Sequence, residues 1–217
     1  MTIRRSRRAR LSGSEHVPTF GPFSKQDVAR RQINSAINLL SCSKDYVSAN
    51  TLAWASSDLL RGVAKPLDVL TFQEELEARI KPEFVNDWRR LLRAAYTFSK
   101  HADRDPDDLL EELHPEAVSY ALFGSTLNYS RVFGSKTIQM FIYQNWIYAR
   151  NPNFAADDFR PAANALAERF GKEVGGDFDQ AVNLIDEIIT SCLRNEDAVR
   201  NMLGDAWNKV IEPFSKL

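Results

Sequence analysis

The chain has 217 residues, 44% apolar and 26% charged, with a formal net charge of −1. That balance suits a packed soluble domain and gives no bulk charge to choose a partner. Two cysteines, Cys42 and Cys192, exclude a disulfide framework, and no apolar run reaches the roughly 18 residues of a membrane span.

The arm comes first. "MTIRRSRRAR" carries Arg4, Arg5, Arg7, Arg8 and Arg10 with no acid. Such an arm can release counterions on RNA or DNA. It is also similar in composition to the start of an organelle presequence, and a plain solvated tail is the competing reading. "LSGSEHVPTFGPF" follows in place of an apolar block, so no secretory signal is expected. Residues 1–22 read as a basic arm and loop.

Ser24 with Asp27 opens the first helix, expected to run to about residue 43 with Val28, Ile33, Ala36, Ile37 and Leu40 on one face. Asp45 caps the second, with Val47, Leu52, Ala55, Leu59 and Val63 predicted inward and Lys65-Pro66 as its stop. Thr71 and Glu74 form a capping box for a short helix. Pro82 suits the first turn of the next helix, which puts Phe84, Trp88, Leu91, Ala95 and Phe98 on one side. Asp105-Pro106 predicts a brief acidic helix. His114-Pro115 starts a further one, with Val118, Ala121, Leu122, Ser125 and Tyr129 inward.

Ser135 is the expected cap of a helix over 136–150, and "NPNF" breaks it. A small-residue helix is predicted over 158–171. The last two are predicted over 178–194 and 197–211, the latter with Val199, Leu203, Ala206 and Val210 inward. Nothing alternates with period two for long, so no sheet is expected. The fold class is all-α: an up-and-down helical bundle over 23–134 with a C-terminal helical extension over 135–217 packed on it. The four tryptophans, Trp54, Trp88, Trp146 and Trp207, read as core, and the cysteines as buried, reduced thiols of a cytoplasmic protein.

"FSKHADRDPDD" (98–108) is the polar stretch that draws a functional reading. On a helical wheel Asn86, Arg90, Arg93, Thr97, His101 and Arg104 fall on one flank, at spacings of three and four. Arg89 and Lys100 lie beside it. The flank makes a basic ridge that could hold phosphates through arginine forks, with His101 able to move a proton near neutral pH. A solvated face whose cations pair with neighbouring acids is the plain alternative. Asp103, Asp105 and Asp107 match the start of a calcium loop, but Asp108 stands where glycine belongs and His114 where glutamate belongs, so no metal is expected. No P-loop, G-x-G-x-x-G, G-x-S-x-G or H-E-x-x-H is present, and no cofactor is expected. Gly124, inside "FGSTLNYS", reads as close helix packing.

The helix order, with a polar His-bearing end on the long helix before 101, resembles the HEPN class of small helical domains. "FSKHADRDPDD" is also similar to a stretch in a group of uncharacterised bacterial helical proteins, over about residues 30–130. Catalytic members of the HEPN class are metal-independent ribonucleases with an arginine four to six residues before a histidine, commonly across a dimer interface. In this chain those positions are Ala94, Ala95 and Tyr96, and Arg93 lies one residue beyond. The resemblance thus implies a binding or regulatory module that engages nucleic acid or a protein partner through Arg90, Arg93, Thr97, His101 and Arg104, with the arginine arm beside them. A ribonuclease using Arg93 and His101 is the alternative it implies, and a homodimer is its usual assembly. An oligomerising scaffold acting through residues 135–217 is the third expectation.

Overall fold

The computed structural model describes residues 21–101, 106–204 and 211–212. Arg4, Arg5, Arg7, Arg8, Arg104, Asp103 and Asp105 lie outside them, as do Ala206, Trp207 and Val210. The fold is all-α, a helical bundle.

Helix α1 (Lys25–Asn38) opens on a full capping box, Ser24 with Asp27, and runs into a π turn over Leu39–Ser43. Lys44 closes that turn with φ of 54°. Helix α2 (Tyr46–Ala64) is capped by Asp45, whose carboxylate accepts from Ser48 N. The short α3 (Phe72–Glu77) starts at the Thr71–Glu74 box. A single 3₁₀ turn leads into α4 (Val85–Lys100). Then come α5 (Pro115–Phe133), α6 (Ile138–Arg150), α7 (Arg160–Val174), α8 (Phe178–Arg194) and α9 (Glu196–Leu203). Gly134 ends α5 at φ of 67°, a conformation a side chain would strain.

Helices α1, α2, α5 and α6 make the centre. α2 lies against α1 and α5, and α6 joins α1 and α5 to α7 and α8. One continuous core runs through them, from Ile33, Ile37 and Leu40 of α1 through Leu122 and Tyr129 of α5 to Ile147 of α6 and Ile185 of α8. Each fully buried aliphatic side chain contributes about 1.5–3 kcal/mol by leaving water. Among the described residues, helices α6, α7 and α8 extend this same core.

Several expectations are corrected. The inward face of α2 includes Ala49, Ala53, Ser56, Ser57, Leu60 and Ala64, about a third of a turn from the predicted stripe, and Val47 is half-exposed. Small residues win there because α2 lies between two helices and needs close approach. Ser125 Oγ donates to Ala53 O across that contact at 2.8 Å. Thr137, not Ser135, caps α6; Ser135 Oγ instead donates to Glu212. Helix α7 passes Gly171 and ends at Gly175. Residues 108–114 form no helix. Cys42 is exposed, because the π turn swings it outward to donate to Asp186 Oδ1 at 2.9 Å.

A buried polar knot ties the C-terminal segment to the bundle. Glu212 accepts from Tyr129 Oη at 2.5 Å, Ser135 Oγ at 2.8 Å and Arg30 Nη1 at 3.4 Å. Arg30 is itself buried and also pairs with Asp27. Glu212 N donates to Lys136 O, beside an isolated bridge between Lys136 and Ile211. Burial pushes the Glu212 carboxyl up, but the hydrogen bonds from Tyr129, Ser135 and Arg30 outweigh it and hold the group below its usual range.

Candidate functional site

Helix α4 departs most from the expectation that apolar stripes face inward. Its one buried residue is Tyr96. Leu91 is 74% exposed and Phe84 55%, with Leu92 and Phe98 also open to solvent. The helix is seated on α2 by a polar flank.

Asp58 of α2 is the anchor. Its carboxylate takes Arg93 Nη2 at 2.6 Å and Tyr96 Oη at 3.4 Å, with Lys100 Nζ at 3.9 Å and Arg61 Nη2 at 3.8 Å. The Arg93 guanidinium also lies over the Trp54 and Tyr96 rings, and Lys100 Nζ stands 4.1 Å from the Tyr96 centroid. Stacking on aromatic faces keeps both cations close to their shared carboxylate.

An open depression of about 510 Å³ lies between α2 and α4, lined by Arg61, Arg89, Arg90, Arg93, Ala94 and Thr97. Beneath it runs a narrow cleft of about 30 Å³, with Trp54, Ser57 and Gln73 on its walls and Arg61, Arg89 and Arg93 shared with the depression. Trp54 is buried, and its Nε1–H has no hydrogen-bond partner. Asp58 serves three cations, Glu77 pairs Arg89 (Nε to Oε1, 2.8 Å), and Asp87 pairs Arg90 at 3.0 Å. Five cations therefore meet three carboxylates, and the surplus is positive. The donors around this opening suit an oxyanion.

The sequence-predicted residues divide. Arg90, Arg93 and Thr97 line the depression together. His101 is not among its lining residues; it is the C-cap of α4, about 12 Å along the helix axis from Arg93. Arg93 is directed onto Asp58 and α2. Among the described residues no group of three His, Cys, Asp or Glu could hold a metal, and no helix is long and apolar enough to cross a membrane. Sequence reasoning missed Arg61, Asp58 and Trp54. The three-residue spacing of Asp58 and Arg61 on one helix was the available signal, but nothing in the sequence set α2 against α4.

No family model matches the chain, and neither a curated protein nor a solved structure shows significant similarity to it.

Proposed function

We propose that the protein is a binding module, HEPN-like in plan, that engages single-stranded RNA by its phosphates at the α2–α4 face. The observation that supports this reading is the opening ringed by Arg61, Arg89, Arg90 and Arg93, with fewer carboxylates than cations around it. Guanidinium forks recognise phosphate bidentately, and Thr97 adds a hydroxyl donor at the rim. Phosphate contacts of this kind set affinity and position without reading sequence.

Fluorescence anisotropy with a labelled RNA oligonucleotide tests it. Arg61→Ala with Arg90→Ala should weaken binding about ten-fold or more at low salt and lower the slope of log affinity against log salt by about 1 per lost contact. Arg90 is 77% exposed at its side chain and Arg61 47%, so the fold should survive both changes. Affinity and slope equal to wild type would end the proposal.

A further inference from the structure

Three aromatic rings stand open beside the first half of α5. Tyr120 is 36% exposed, Phe154 50% and Phe159 38%. They belong to one aromatic set. Tyr120 meets Phe154 edge-on at 5.4 Å, and Phe154 stacks on the buried Phe123 at 6.4 Å. Tyr148 joins Phe123, at 5.4 Å, to Phe159, at 5.1 Å. The core thus holds the exposed rings as a ledge around the turn at Pro152–Phe154.

Carboxylates rim this ledge. Glu116 lies one turn before Tyr120 on α5, and Asp157 and Asp158 directly precede Phe159. Glu111 and Glu112, both exposed, lead into α5. Arg150 pairs with Glu116, Arg160 with Asp157 and His114 with Glu112. Glu111 and Asp158 have no cation partner among the described residues, so the surplus is negative. From these observations we infer that the ledge is the docking site of the chain's own arginine arm, residues 4–10.

Charge and ring chemistry together favour that occupant. Arg4, Arg5, Arg7, Arg8 and Arg10 come with no acid beside them. A guanidinium stacks on an aromatic face while its fork pairs with a carboxylate, so one arginine satisfies both parts of the ledge. The molecule already uses this pairing twice. Arg150 lies over Trp146 and Phe178 while bonded to Glu116, and Arg93 lies over Trp54 and Tyr96 while bonded to Asp58. A nucleic acid fits the ledge worse, because its phosphates would meet the carboxylates. Other exposed rings fit the arm worse. Phe23 already has Arg31 over its face at 4.9 Å, and Phe98 sits on α4 with Arg89, Arg90 and Lys100.

The arm is long enough. It joins the described fold at Gly21, eleven residues after Arg10 and seventeen after Arg4. Those lengths span up to about 35 Å and about 55 Å. A domain of this size has a radius of gyration of about 17 Å and is about 45 Å across. The tether supplies an effective concentration on the order of millimolar, so individually weak contacts suffice.

Two-dimensional ¹H–¹⁵N NMR of the full chain reads the contact. Wild type is compared with a variant combining Arg4→Ser, Arg5→Ser, Arg7→Ser, Arg8→Ser and Arg10→Ser. Outside the arm, the largest shifts between them should fall on residues 109–120 and 153–160. At about 1 M salt, where the screening length is about 3 Å, the wild-type ledge signals should move onto those of the variant. Asp157→Lys with Asp158→Lys alters two exposed side chains, so the fold should hold. It should move the amides of residues 4–10 and abolish the effect of the arginine changes on the ledge. All these differences should survive an approximately ten-fold dilution, as an intramolecular contact requires. Ledge signals indifferent to the arm arginines overturn the inference. So do shifts centred on another face, or shifts that fade on dilution. The ledge uses none of the arginines at the α2–α4 opening. Arg61→Ala with Arg90→Ala should leave its signals in place, and the two proposals can fail separately.

Discussion

Helices α4 and α5 are similar in length and both amphipathic, yet they are held in opposite ways. α5 buries Val118, Leu122, Phe123 and Tyr129 in the common core, and its polar residues Ser125, Thr126 and Asn128 are buried with them. α4 buries Tyr96 alone and rests on α2 through a carboxylate, a phenol and stacked cations, leaving Leu91 and Phe98 exposed while Trp88 lines the cleft against α2. An apolar stripe says that a helix has something to cover. It does not say that its own chain covers it.

The contrast can be tested at both ends. The largest effect belongs to the core helix. Leu122→Ala removes a fully buried side chain and should cost about 2–5 kcal/mol in urea denaturation; a cost under about 1 kcal/mol would mean that α5 is not the centre described above.

A second test uses the end of α5, where Tyr129 holds Glu212. The Glu212 carboxyl titrates below its ordinary value near 4.5 in the folded chain, so its contribution is in place above that value and is lost as pH falls through the lower, folded pKa. Wild-type stability should therefore decline over that acid window. Glu212→Gln, less stable at neutral pH, should show a shallower decline in melts taken from pH 6 to about 3.

The smallest effect belongs to α4. Asp58→Asn weakens contacts to Arg93, Lys100 and Arg61 that are partly exposed, so the global cost should be about 1 kcal/mol. Its sharper sign is local. Amide hydrogen exchange should speed up along α4 and stay unchanged along α5. Equal acceleration in both helices would place α4 within the cooperative core.

The sequence carried the caps well because capping is local chemistry. The Ser24–Asp27 and Thr71–Glu74 boxes are where the spacing put them. Gly124 was readable as close packing: a Cβ there would come within 2.9 Å of the Phe72 ring. The inward face of α2 was not readable. A helix pressed between two others selects alanine and serine, and a search for large apolar residues finds its flank instead. The Arg90–Arg93–Thr97 flank of the candidate site was visible on one helical wheel. Its other half, Asp58, Arg61 and Trp54, comes from α2, and only tertiary packing brings it there.

The knot at Glu212 carries a consequence for how the molecule would be dismantled. Arg30 sits out of water on the first helix, and one of its two counter-ions arrives 182 residues later. A protease nicking the chain ahead of position 211 would strip that counter-ion away, leaving α1 with a guanidinium short of compensation. Damage at one extremity would thus loosen the other, and the trimmed protein should be cleared as a unit, not persist as a shortened survivor.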